Sequence, residues 1–266
     1  MILITTIGED ISLLKKFIEF YQKYYYIQYY YFIINNKNFE NISKQIDNYF
    51  PCFKNYYLIK FNEEFSENKK IELENGIIKS FLKEWVMYAD LDEFIYIPGG
   101  IQNRIKLAEM YGFDYIEGLM IDRISLDFTL KDFDSSKSLE SQYPIGCDIT
   151  KSICKAWNKK IILAKSNVKI GGGHHVIQND IEWNNSNCQP YNEELTPWSY
   201  GIELHHFKWR NGLIEKMQSQ MNNIKTECLH AWWEEMNKFV NHYKRFGKIN
   251  RFTSINDYYI GEKIGI

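Results

Sequence analysis

The residues best suited to chemistry stand in Glu84-Trp-Val-Met-Tyr-Ala-Asp90-Leu-Asp92-Glu93-Phe-Ile-Tyr-Ile97, where carboxylates follow directly on an apolar run. Trp85 to Ala89 is short and rich in aromatic and branched side chains, the composition of a buried strand. Residues two apart in an extended chain point the same way, so Asp90 and Asp92 present their carboxylates on one side. Like charges held that close repel unless something sits between them. A divalent cation would relieve the repulsion, because hard ions take carboxylate oxygens. A turn in which both aspartates bond nearby backbone amides would relieve it too.

Two histidine pairs come next, since imidazole is readily recruited for metal binding and proton transfer near neutral pH. In the extended run Gly201-Ile-Glu-Leu-His205-His206-Phe-Lys208-Trp209-Arg210, alternation puts Ile202, Leu204, His206 and Lys208 on one face. Only one histidine of this pair can then face a site. His206 is the expected one, because its face ends in Lys208, a group able to meet a phosphate. His174-His175 follows Gly171-Gly172-Gly173, and glycines allow close approach of backbone to a ligand, or simply a turn with exposed imidazoles. Asp122-Arg123 ends another apolar stretch, as a strand-end ion pair or as part of the same site.

The elements that must position these groups alternate. Met1 to Ile7 reads as a strand and Ile11 to Tyr24 as an amphipathic helix with Asp10 as its cap. Tyr29 to Ile34 and Tyr56 to Phe61 are strands, with a helix over Phe39 to Phe50 between them. Asn62 to Lys70 reads as a loop and Ile71 to Lys83 as the helix leading into Trp85. Such alternation implies an α/β fold with a mainly parallel sheet and helices on its faces. Ligands of such sheets bind outside the carboxyl ends of the strands, where Thr5, Thr6, Asn35, Asn36, Asp90 and Asp92 all fall. That convergence favours the metal reading of the aspartates.

Further on, Ile101 to Tyr111 reads as a helix, Asp114 to Arg123 and Ile161 to Lys165 as strands, and the glycine run as two short extended pieces. Leu213 to Tyr243 keeps helical spacing. The Trp232-Trp233 pair is expected in core packing, and Lys244, Arg245, Lys248 and Arg251 on a solvated surface. Segments 131–142 and 178–197 are polar and loop-like.

A chain of 266 residues, 45% hydrophobic and 25% charged, suits a folded protein. One domain is expected, in three stretches: residues 1–97, residues 98–212 and a helical extension over 213–266. The net charge of -2, with scattered basic residues, argues against nucleic acid as a partner. Five widely spaced cysteines read as reduced thiols. With no signal-peptide pattern at Met1 and no long apolar run, the expectation is a cytoplasmic protein, compatible with peripheral membrane contact. A phosphate loop, a nucleophile elbow and a zinc helix are all missing from the sequence.

Taken in order, the alternating first half, Asp90-Leu-Asp92-Glu93-Phe94, Gly118-Leu-Met-Ile-Asp122-Arg123, Gly171-Gly-Gly-His174-His175 and His205-His206-Phe-Lys-Trp209 resemble bacterial GT-A glycosyltransferases of the family 2-like group. The resemblance spans roughly Met1 to Met217. It implies a GT-A fold in which Asp90 and Asp92 engage manganese or magnesium and hold the diphosphate of a nucleotide sugar, with His206 as the late histidine of the metal shell. Ile7-Gly8-Glu9 departs from the Lys-Asn-Glu-like element common in relatives.

The function so implied is transfer of a sugar from a nucleotide-diphosphate donor to a hydroxyl acceptor, such as a surface glycan or a lipid-linked sugar. Thr5, Thr6, Glu9, Asn35 and Asp90 would contact the nucleotide, while Lys208 or Arg123 would neutralise phosphate charge. An inverting transfer needs a base, for which Asp122 comes first, then Asp127, His175 and Glu93. Two other readings stay open. A sugar-phosphate nucleotidyltransferase would carry a glycine-rich, arginine-containing loop after the first strand, where Thr5 to Ser12 has only Gly8. A non-catalytic carbohydrate-binding protein would have no reason to gather acidic and histidine groups at one sheet edge.

Overall fold

Strand β1 (Ile2–Ile7) is apolar apart from Thr5 and Thr6 and is buried on both faces, as an interior strand of a parallel sheet must be. It pairs in parallel with β2 (Tyr29–Ile34) from Ile2 opposite Tyr29 to Ile7 opposite Ile34, and with β4 (Trp85–Tyr88) on its other side. β2 pairs in parallel with β3 (Tyr56–Lys60). Helices α1 (Leu14–Tyr24), α2 (Phe39–Tyr49) and α3 (Glu67–Ile78) are the crossovers between these strands. This is the expected α/β alternation with a parallel sheet flanked by helices. The computed structural model describes residues 1–50, 55–175, 201–224 and 230–250.

The chain packs as two compact units, one formed by Met1–Leu119 with Lys159–Leu204 and the other by Met120–Asn158 with His205–Ile266. In the first, the strand order runs β3-β2-β1-β4, then β8 (Lys159–Lys165), β6 (Tyr115–Ile124), β9 (Glu203–His206) and β5 (Glu93–Tyr96), counting β6 and β9 for the residues they give to this unit. β8 is antiparallel both to β4, with Trp85 opposite Lys165, and to β6. The parallel character therefore belongs to β1 through β4, and β8 and β6 are added antiparallel. Ile2, Ile4, Ile33, Val86, Tyr88 and Ala164 share one buried cluster here. In the second unit β6 pairs antiparallel with β7 (Ile145–Cys147), Asp122 lying opposite Cys147. Its core joins Ile124, Ile149, Trp209, Met217 and Phe239, with Trp232 and Trp233 packed against it as expected.

Several elements differ from the sequence expectations. α1 starts at Leu14, not Ile11, because Asp10 turns its carboxylate to the Ser12 amide (3.0 Å) and hydroxyl (2.7 Å) and so makes a local turn upstream of the helix. α3 begins at Glu67, inside the expected loop, where the Ser66 hydroxyl accepts from the Lys69 amide as an N-cap. The glycine run forms a single 3₁₀ turn, Gly172–His174, in place of two extended pieces. Gly173 sits at a φ of +61°, and a Cβ there would come within 2.7 Å of the His175 ring. The C-terminal helical spacing resolves into α7 (Leu213–Ile224) and α8 (His230–Phe246). The polar segment expected over 178–197, Arg251 and the thiols Cys52, Cys188 and Cys228 lie outside the described residues. Cys147 and Cys154 are buried and form no disulfide. Among the described residues no helix is long and apolar enough to cross a membrane.

Candidate functional site

The carboxyl end of β4 carries Asp90 into a tight turn. The Glu93 amide donates to the Asp90 carbonyl (2.9 Å), and the Asp90 amide donates to Glu93 Oε2 (3.0 Å). Helix α1 braces the far side of this turn, where the buried Tyr21 hydroxyl donates to the Glu93 carbonyl at 3.0 Å. Two lysines then reach in. Lys70 from α3 donates to Asp90 Oδ1 at 2.8 Å, and Lys160 from β8 donates to Asp90 Oδ2 at 2.7 Å and also to Glu93 Oε1. Both lysines are only 4% exposed. Burial by itself would raise the pKa of Asp90, but Lys160 and Lys70 outweigh it and hold the carboxyl well below its usual range. The same pairing keeps both ammonium groups charged against the opposing effect of burial.

α3 also fixes the glycine turn. Asn75 clamps the Ile170 backbone through both its carbonyl and its amide, at 3.1 and 3.0 Å. Glu67 accepts from the Gly173 amide (2.9 Å), and Glu74 pairs with His174 Nε2 (2.9 Å). Thr6, at the end of β1, reaches Glu74 at 3.4 Å. His174 stands against Tyr88 with ring centroids 5.2 Å apart, and neither the Tyr88 hydroxyl nor His174 Nδ1 has a hydrogen-bond partner among the described residues. His175 gives its Nδ1–H to the Lys159 carbonyl, and burial followed by the charge of Lys160 pushes its pKa down to about 3. The first unit thus gathers Thr6, Asp90, Glu93, His174 and His175, all singled out by sequence, around three groups that sequence reading passed over: Lys70, Glu74 and Lys160.

The second unit has a different centre. Asp122 is fully buried on β6, and three donors converge on its carboxylate. Oδ1 accepts from the Trp209 indole (2.6 Å) and the Thr150 hydroxyl (3.0 Å), Oδ2 accepts from the Thr150 amide (2.6 Å), and His206 Nδ1 lies 3.1 Å from Oδ1. Arg123, the next residue on the strand, points elsewhere and gives Nε and Nη2 to the carbonyls of Tyr143 and Pro144. It is fully buried. Lys208 lies over the Trp209 ring, 5.7 Å from its centroid.

The remaining expected residues are placed as follows. Asn35 donates to the carbonyls of Phe61 (3.2 Å) and Glu63 (2.8 Å), tying the ends of β2 and β3 together. Thr5 is buried and Glu9 exposed. Of the candidate bases, Asp122 and Glu93 have both oxygens engaged by donors. Asp127 is an exposed turn acceptor, held well below the carboxylate range by Lys131 first and then by Ser125 and Thr129. His175 is held neutral at physiological pH by its depressed pKa. Asp127 and His175 are thus both shifted away from neutral pH, where general bases work best.

A divalent cation takes carboxylate oxygens and imidazole nitrogens. Asp90 already meets an ammonium group on each oxygen, so its charge is balanced without an ion. Asp92, half-buried in the same turn, and His206, whose Nδ1 is engaged by Asp122, have the donor chemistry of metal ligands.

No family model matches the chain, and no curated protein matches it. It is similar to the crystal structure of 4-diphosphocytidyl-2C-methyl-D-erythritol synthase, at 13% identity and a TM-score of 0.32, over 62% of this chain and 74% of that one. It is similar also to S. aureus TarS, at 10% identity and a TM-score of 0.34, over 62% of this chain and 28% of that one. A third similar structure is S. aureus TarS 1-349 in complex with UDP-GlcNAc, at 9% identity and a TM-score of 0.35, over 62% of this chain and 45% of that one. The chain thus spans less than half the length of these two TarS structures, and the likenesses leave its activity open.

Proposed function

We propose that the protein is a metal-dependent glycosyltransferase of GT-A type that moves a sugar from a nucleotide-diphosphate donor to a hydroxyl acceptor. The observation that carries this reading is the Asp90–Glu93 turn at the carboxyl end of β4, held by the buried lysines Lys70 and Lys160, with Thr6 at the end of β1 bonded to Glu74 on the helix that carries Lys70. It stands at the edge where parallel α/β sheets bind ligands, and the ordered motif set resembling family 2-like enzymes runs through it. Asp92 would hold the cation, manganese or magnesium, and His206 has the donor nitrogen to ligate such an ion. Bound there, the ion supplies Lewis acidity to a departing diphosphate. Asp90 organises Lys70 and Lys160 in the same turn, and Thr5, Thr6, Glu9 and Asn35 contact the nucleotide. Proton removal from the acceptor is assigned to none of the four carboxylate and histidine candidates.

A thermal-shift panel of UDP, GDP, CDP and TDP, each with and without manganese, tests the reading. A nucleotide present at 100 times its Kd stabilises by about 2.7 kcal/mol, a shift of roughly 5–10 °C for a chain of this size. One nucleotide should give that shift only with manganese. If none stabilises the protein, the transferase reading fails. Full metal-dependent activity in Asp92→Ala would sink the site assignment alone.

A further inference from the structure

We infer that Asp122 is a positioning residue that locks His206 in the tautomer with hydrogen on Nδ1 and a lone pair on Nε2. The argument rests on donor count. The Trp209 indole nitrogen and the Thr150 amide can only donate, and both point at the Asp122 carboxylate within 2.6 Å. The Thr150 hydroxyl adds a third donor. A carboxylate held by such donors is an acceptor on every face it offers. His206 Nδ1 lies 3.1 Å from Oδ1, so this nitrogen must carry hydrogen, because a lone pair there would oppose the lone pairs of the oxygen. In a neutral ring the remaining lone pair is then on Nε2, the atom able to bind a cation.

The carboxylate is itself prevented from turning. Trp209 is buried against Phe239 with ring centroids 4.5 Å apart, and Thr150 is anchored in the short helix Ile149–Ser152. Two donors from one residue grip both oxygens, so rotation of the carboxylate would break both contacts together. Asp122 thus acts through His206, in place of the base role expected from its sequence position.

The role of His206 as a ligand rests on the proposed transferase reading, so the test separates the two. In metal-free protein with ¹⁵N-labelled histidine, long-range proton–nitrogen correlations report the His206 tautomer directly, with His206→Gln providing the assignment. The expected result is hydrogen on Nδ1. Finding it on Nε2 in the wild-type protein overturns the inference and leaves the nucleotide panel untouched. In Asp122→Asn the amide can present N–H to Nδ1 and reverse the tautomer, so manganese affinity, read by electron paramagnetic resonance, should fall about 10–100-fold. Unchanged manganese affinity in a folded Asp122→Asn protein overturns the ligand role of His206, while the wild-type tautomer decides the inference itself. The wild-type measurement does not depend on Asp122→Asn and decides the matter if that variant does not fold.

Discussion

The two units bury carboxylates by opposite means. In the first, Asp90 and Glu93 are compensated by charge, through Lys70 and Lys160 on long flexible stems. In the second, Asp122 is compensated by an indole, a backbone amide, a hydroxyl and an imidazole, all on short or rigid anchors. Lysines can swing away when a cation or a phosphate arrives, and the same carboxylates can then change partners. A carboxylate gripped by an indole and an amide cannot. The first arrangement suits a place where charges are exchanged during binding, and the second suits one where a neighbouring group has to keep its orientation.

The largest effect should come from breaking the ionic arrangement. Lys160→Met removes the ammonium shared by Asp90 and Glu93, leaving Glu93 with only the Asp90 amide among the described residues. Loss of one partner from a buried ion pair costs about 3–5 kcal/mol, to be measured by urea unfolding. Adding Glu93→Gln should recover part of that loss, because the uncompensated charge is then gone. A cost below about 1 kcal/mol, the worth of an exposed pair, would mean that solvent reaches these carboxylates and that the contrast between the units is false.

pH should act next on the first unit. His175 titrates at about 3 in the folded protein, below the roughly 6.5 of an ordinary imidazole. The unfolded chain therefore takes up this proton first as pH falls. Its contribution is complete above about pH 6.5 and is lost progressively towards the folded value, at no more than about 1.4 kcal/mol per pH unit. Stability profiles of the wild-type protein and His175→Gln should diverge below about pH 6.5, with the variant the flatter. Parallel profiles would show that the ring is open to water.

The first four strands were legible in the sequence because interior parallel strands read as unbroken apolar runs and their crossover helices carry an apolar stripe. α3 was placed late for a physical reason. Its buried residues include Lys70, Glu74 and Asn75 beside Ile71 and Ile78, so hydrophobic periodicity is blurred where the helix meets the site. The legible signal was charge at helical spacing, Glu67, Lys70 and Glu74. Lys160 was hidden for a related reason, since Lys159-Lys160 ahead of an apolar strand looks like a solvated start, yet both are buried. Asp90, Asp122, His174 and His206 stood out by type. Their partners did not, because Thr150 and Trp209 lie 28 and 87 residues from Asp122 and carry no chemistry of their own.

Smaller effects should sharpen the picture of the neutral arrangement. Trp209→Phe keeps most of the ring against Phe239 but removes one donor from Asp122, and a hydrogen bond to a charged group is worth about 1.5–3 kcal/mol. Thr150→Val is milder. It deletes the hydroxyl and leaves the 2.6 Å amide contact in place, so a loss of about 0.5–1.5 kcal/mol is expected by urea unfolding. Because the indole and the hydroxyl both serve Oδ1, the two substitutions should not add, and the double variant should depart from the sum by about 0.5 kcal/mol or more. Additivity would mean that each donor holds the carboxylate independently. Coupling would mean that Trp209 and Thr150 grip it as one rigid cradle, which is what the orientation of His206 requires.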